Sequence, residues 1–105
     1  MIVVNITQSG ITVDGHAGYA EIGNDIICAA VSVLAQGLIH SLDALTDDRI
    51  SYQIRDGHID MGYENLSEQG KLLIDSFFIA VSDTQMTYGD QYVKIDVAPD
   101  GRKTE

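Results

Sequence analysis

Residues 50–64 read ISYQIRDGHIDMGYE, and apolar and polar side chains alternate on both sides of the central Asp56-Gly57 pair. A period of two is typical of β-strands, and Asp-Gly between two such runs is the strongest short-range signal for a two-residue hairpin turn. The stretch therefore predicts two antiparallel strands, over residues 50–55 and 58–64.

The amino terminus predicts a second hairpin. Residues 2–7 are rich in β-branched side chains, residues 8–10 have turn composition, and residues 11–16 form the next strand. A short last strand is predicted over 91–97, followed by a polar tail at 98–105. A chain of 105 residues is the usual size of one domain, so we expect a single domain over 1–97.

Two helices are predicted between these strands, because apolar residues there recur every three or four positions. Asn24 or Asp25 caps the first helix, which ends near residues 46–48, and Ser67 caps the second, which ends near residues 88–90. The predicted buried residues are Ile27, Ala30, Val31, Leu34, Leu38, Leu42 and Leu45 in the first helix, and Leu73, Ile74, Phe77, Phe78, Val81 and Met86 in the second.

The element order ββαββαβ predicts an α+β two-layer sandwich with a largely antiparallel sheet and two helices against it. Ile26 and Val33 widen the apolar belt of the first helix. This favours burial on more than one side, under the sheet or against a second copy of the chain. The uncovered sheet face or a sheet edge also predicts a partner chain as cover.

Charge and composition narrow the class of function. Sixteen acidic residues against six basic ones give a net charge of -10, which would repel a phosphate backbone. Nucleic acid is therefore not expected as a direct ligand. The same charge attracts basic peptides, although it also serves plain solubility.

Cellular location is predicted from what the sequence lacks. It has no signal-peptide pattern, and no apolar stretch approaches the roughly 18 residues of a membrane span, so we expect a cytoplasmic protein without membrane contact. The single cysteine, Cys28, cannot form an intramolecular disulfide and is expected to be a free thiol. His40 and His58 have no metal-binding spacing with Cys28, so we expect no metal and no other cofactor.

The residues most suited to chemistry lie between 15 and 30. His16 follows a predicted strand, and Cys28 lies in the first turn of a predicted helix, where free amide groups and the helix dipole favour a thiolate. A histidine within reach can accept the thiol proton and return it to a leaving amine. From the residues alone, a buried structural cysteine and a histidine bonded to the backbone are the commoner alternative.

The residues around this pair have competing roles. If Asp25 is the cap, which is favoured, it accepts from the Cys28 amide, removes that amide as an oxyanion donor and opposes the thiolate. If Asn24 is the cap, Asp25 is free to orient His16 or to tie down the loop. Ser32 can contact substrate, although a bond to the helix backbone is favoured. Gly18 and Gly23 bound a polar loop that we expect to be mobile and to order on an extended substrate.

Residues 15–17, the twelve-residue step from His16 to Cys28, and the motif Gly23-x-Asp25-Ile26-Ile27-Cys28-Ala29-Ala30-Val31-Ser32 resemble the ribosomal-processing cysteine protease family, called Prp. The resemblance implies a homodimeric Cys-His endopeptidase, without cofactor, that removes the amino-terminal extension of a ribosomal protein by cutting between an aromatic and a small residue. Phage relatives process capsid or scaffold proteins. The substrate peptide is then basic, the nucleophile is Cys28 and the general base is His16. The supporting or substrate-loop positions are Gly15, Gly18, Gly23, Asp25 and Ser32.

Residues 18–20 and Asn24 depart from the family pattern, which bears on substrate identity more than on chemistry. Two other classes of function stay open. One is a dimeric module that binds basic peptides without cutting them, and the other is an inactive relative that acts as an assembly factor.

Overall fold

The secondary-structure elements follow the predicted order. The structure, a computed structural model, describes residues 1–21 and 25–98. Gly23, Asn24 and tail residues 99–105 therefore lie outside the described residues, and the predicted domain boundary stays a prediction. The elements are β1 (Ile2–Ile6), β2 (Gly10–Asp14), α1 (Ile26–Leu45), β3 (Ile50–Arg55), β4 (His58–Tyr63), α2 (Glu68–Tyr88) and β5 (Val93–Val97).

The five strands form one sheet in the order β3-β4-β2-β1-β5. The pairs β1–β2, β2–β4 and β3–β4 are antiparallel, and β5 pairs with β1 in parallel. The parallel pair arises because α2 returns the chain to the end of the sheet where β4 began, so that β5 runs in the same direction as β4 and β1. The predicted α+β sandwich with a largely antiparallel sheet is confirmed.

One face of the sheet forms the core with the two helices. Strand alternation places Ile2, Val4 and Ile6 of β1 on this face, where each is at most 2% exposed. The opposite face carries polar side chains from the central strands, among them Asn5, Thr12, Asp14, His58 and Asp60. The predicted cover of this face, or of a sheet edge, by a partner chain stays a prediction.

Most of the predicted helix positions face this core, but three do not: Ala30 is half-buried on the outer groove between the helices, and Leu45 and Met86 are exposed. Leu45 is 70% exposed because it is the last residue of α1 and extends past the packed layers, although it shares the helical face of Leu38. Met86 is 81% exposed. It lies twelve residues after buried Ile74, which at 100° per residue rotates it about 120° away from the core-facing side.

Helix α1 departs from the expectation that no apolar stretch approaches a membrane span. It has 20 residues, and an 18-residue window within it has a mean hydropathy of 1.6, so by length and composition it could cross a membrane. Polar residues such as Ser32, Gln36 and His40 interrupt the apolar run in the sequence but add little charge. In this fold α1 is a core helix, with buried residues Ile27, Val31, Ala35, Leu38, Ile39 and Leu42.

Candidate active site

The thiol of Cys28 lies in the first turn of α1, as predicted, because Asp25 caps the helix and Cys28 is its third residue. The side chain is half-buried. Its Sγ accepts a hydrogen bond from the backbone N–H of Ala17 at 3.1 Å, and Ala17 is only 3% exposed. The contact therefore holds the sulfur against the segment that leads out of β2.

Asp25 combines the two roles that the sequence presented as alternatives. Its Oδ1 accepts from the backbone N–H groups of Ile27 and Cys28, both at 3.0 Å, which confirms the cap. Its Oδ2 accepts from the backbone N–H groups of Tyr19 and Ala20, at 3.0 and 3.4 Å, and so ties the loop to the helix. The Cys28 amide is thus occupied and is not an oxyanion donor in this arrangement.

Burial of the Asp25 carboxyl, which is 7% exposed, acts to raise its pKa. The four backbone N–H bonds from Cys28, Tyr19, Ala20 and Ile27 together outweigh burial, so the pKa lies below its ordinary value. Asp25 is therefore ionised at neutral pH, and four backbone N–H donors stabilise its carboxylate.

His16 is placed by the end of β2 and by the β3–β4 turn. The Gly15 N–H donates to the Gly57 carbonyl at 2.8 Å, and the His16 carbonyl accepts from the Met1 ammonium at 2.6 Å. The imidazole lies against Gly57: a Cβ at that position would be 3.0 Å from Nε2. Gly57 also has φ +72°, so two separate constraints favour glycine beneath the ring.

His16 and Cys28 line the same cavity of about 130 Å³. Gly15, Ser32 and the turn between β3 and β4 contribute to its wall. Among the described residues, no hydrogen bond joins the His16 ring to the Cys28 sulfur. The two groups therefore share one space while each is held by a separate backbone contact.

Two further predicted positions have specific surroundings. The Ser32 Oγ accepts a hydrogen bond from Gln36 Nε2 at 3.1 Å. The sequence favours a bond to the helix backbone instead. Gly18 has φ +75° and is exposed. It lies immediately before the two loop amides that bind Asp25, so glycine allows the loop to turn back toward the helix.

Sequence reasoning missed the Ala17 amide and the Gly57 surface. The Ala17 contact uses the main chain and leaves no side-chain pattern to read. The sequence indicates Gly57 only as a turn residue, because its contact with His16 depends on the pairing of β2 with β4.

A half-buried thiol at a helix amino terminus, with a histidine on the same cavity, supplies the two groups that a thiol-dependent hydrolase needs, here on an α+β sandwich. The model of the family described as cysteine protease Prp matches residues 1–94. The chain belongs to this family and is a cysteine protease, which confirms the resemblance and the class of enzyme predicted from the sequence.

Relatives and solved structures agree with this assignment. The chain is 26% identical over 99 residues to the ribosomal processing cysteine protease Prp of Staphylococcus aureus, covering 86% of this chain and 93% of the relative. A Mycoplasma genitalium protein of the same name is 49% identical over 37 residues, which are 35% of this chain and 37% of the relative.

The fold is also found in crystal structures. The S. aureus protease with a covalently linked product peptide has a TM-score of 0.86 at 23% identity, covering 93% of this chain and all of the other. A Streptococcus mutans protein has a TM-score of 0.76 at 27% identity, covering 92% of this chain and 93% of the other.

Proposed function

We propose that this protease removes the amino-terminal extension of a ribosomal protein precursor, with Cys28 as nucleophile and His16 as general base. The observation that carries the proposal is the Cys28 sulfur, held by the Ala17 N–H on a cavity that His16 also lines. The S. aureus relative is named for ribosomal processing, and it has been solved with a substrate peptide. The cytoplasm, where ribosomal precursors are made, is the proposed location.

The proposed reaction needs only these groups and water. His16 takes the thiol proton, the Cys28 thiolate attacks the scissile carbonyl, and the amine leaves with the proton from His16. Water, deprotonated by His16, then releases the acyl group from the sulfur. Asp25 occupies the Cys28 amide, so we assign oxyanion stabilisation to the Ala17 N–H, which turns from the sulfur to the oxyanion as attack moves the negative charge from sulfur to oxygen.

The substrate is proposed to be a basic peptide. A net charge of -10 raises the encounter rate with a positively charged segment and disfavours acidic ones. Ribosomal extensions meet this requirement, and so do phage capsid or scaffold tails, which make a capsid precursor the second candidate substrate.

The proposal predicts cleavage of a ribosomal precursor at one junction. Purified ribosomal and capsid precursors are incubated with the native chain and followed by intact-mass spectrometry. Because Cys28 is the only cysteine, the same chain alkylated with iodoacetamide is a matched control that should cut nothing. A precursor with a scrambled aromatic–small junction controls for sequence preference.

Loss of one defined amino-terminal fragment, only with unmodified chain, is the expected result. Equal cleavage by the alkylated chain contradicts Cys28 chemistry, and cleavage of the capsid precursor alone transfers the substrate assignment to it. Binding without cleavage favours the non-catalytic peptide-binding module.

We further propose that the enzyme is a homodimer that associates through the outer surface of the helices. Ile26 and Val33 of α1 are 53% and 69% exposed, and they line a groove with Ala80 and Thr84 of α2. Exposed apolar residues that adjoin one another are typical of an interface.

The dimer proposal predicts that Val33→Asp dissociates the protein. Light scattering after size exclusion should give twice the chain's mass for the native protein and the single mass for the variant. Leu72→Asp is the control, because Leu72 is 70% exposed but does not line the groove. A native protein that is monomeric at all concentrations, or a dimeric Val33→Asp variant, would contradict this surface.

A further inference from the structure

His58 lies between two carboxylates on the polar face of the sheet. Its Nδ1 is hydrogen-bonded to Asp14 Oδ1, and its Nε2 lies 2.8 Å from Asp60 Oδ2. Asp14 and His58 are cross-strand partners on β2 and β4, and Asp60 follows two residues later on the same face. None of these three residues has a role in the chemistry described above.

Only a protonated His58 bonds both carboxylates as a donor, because a neutral imidazole has one N–H. The hydrogen bonds to Asp14 and then Asp60 raise the pKa of His58, against opposing contributions from burial and from Arg55 on β3. Once the proton is lost, one carboxylate lacks its donor and the two negative charges are no longer offset.

This cluster joins the two segments that place His16. Asp14 ends β2 and directly precedes residues 15 and 16, while His58 begins β4 directly after Gly57. The Gly15–Gly57 backbone bond continues the same ladder, and the His16 ring lies on Gly57. A change in the cluster therefore acts on the backbone that leads to His16 and on the glycine beneath its ring.

We propose that His58 is a positioning residue of the protease: as an imidazolium it ties the end of β2 to the start of β4 and thereby holds His16 over Gly57. The consequence for catalysis rests on the proposed role of His16, whereas the coupling of the two histidines does not. The stabilisation is fully present below the ordinary histidine value of 6.5 and is lost as pH rises through the raised pKa.

The coupling is tested by NMR titration of the ring Cε1–H signals of the full chain, whose three histidines are 16, 40 and 58. His58 should titrate above 6.5, and the His16 signal should show a second inflection at the pH where His58 titrates. In Asp60→Asn the amide donates to the ring, so the His58 pKa should fall and the second inflection of His16 should move with it. A His16 signal without that second inflection, or one unmoved by Asp60→Asn, overturns the proposal.

The catalytic arm uses His58→Gln, with His40→Gln on the exposed surface of α1 as the matched control. His58→Gln should lower kcat by about tenfold with little change in KM and should alter the alkaline limb of the pH profile. An unchanged kcat and pH profile in a folded variant overturns the role. If His58→Gln does not fold, Asp60→Asn serves in its place. If the native chain cuts no precursor, the NMR titration alone decides whether His58 and His16 are coupled.

Discussion

Replacing Cys28 with Ser, or His16 with Asn, should each lower kcat/KM for precursor cleavage by about 10⁴-fold or more. Serine keeps the shape of the side chain but ionises far less readily, and asparagine keeps a hydrogen-bonding group but cannot carry the proton. Because nucleophile and base act as one unit, the double variant should be hardly worse than the poorer single variant.

Rates are measured on the same purified precursor, with His40→Gln as the matched histidine control. Alkylation of the single thiol near neutral pH gives an independent measure, since His16→Asn should slow it and His40→Gln should not. Cleavage that survives Cys28→Ala would contradict the nucleophile, and native-like rates in His16→Asn would contradict the base.

Local patterns predicted the elements well because each is determined by neighbouring residues. The Asp56-Gly57 turn separates β3 from β4 at the positions expected, and Ser67 caps α2 through a bond from the Gly70 N–H. One error ignores the helical period. The apolar character of Met86 predicts the buried face, although helical rotation carries the residue away from the core.

The site was predictable in its two reacting side chains and not in what supports them. The Ala17 N–H bonds the sulfur through the main chain, and therefore no residue type in the sequence marks it. The Asp14–His58 pair joins residues 44 positions apart, and only the register of β2 against β4 brings them together. The sequence likewise offers the cap and the loop contact of Asp25 as alternatives, because it cannot show that Oδ1 binds the helix while Oδ2 binds the loop.

Substitutions at Asp25 should separate these two roles. Asp25→Asn and Asp25→Ser both retain a good helix cap, but neither can accept from the Tyr19 and Ala20 amides as the Oδ2 oxygen does. Each should keep most of the helix stability and lose activity, because the loop that carries the Ala17 amide is released. Asp25→Ala loses cap and loop together and should lower the free energy of unfolding by about 2–4 kcal/mol.

Acid dependence gives this prediction a second readout. The pKa of Asp25 lies below its ordinary value of 3.8 because the backbone donors outweigh burial, so its ionisation stabilises the fold above that pH. That contribution is lost as pH falls through the lowered pKa, and Asp25→Asn should therefore flatten the loss of stability in acid. Urea unfolding of the native chain and of Asp25→Asn, at neutral pH and near pH 3, measures this difference in the free energy of unfolding.

Asp48→Asn is the matched control for Asp25, since Asp48 binds the start of the other helix. Its carboxylate accepts from the Ser67 N–H at 2.9 Å and from the Ser67 hydroxyl at 2.8 Å. We expect this variant to lose stability while its kcat/KM stays close to the native value. If Asp48→Asn and Asp25→Asn reduce activity equally, the effect of Asp25 is one of general stability; if only Asp25→Asn does, the carboxylate acts by holding the loop against the nucleophile.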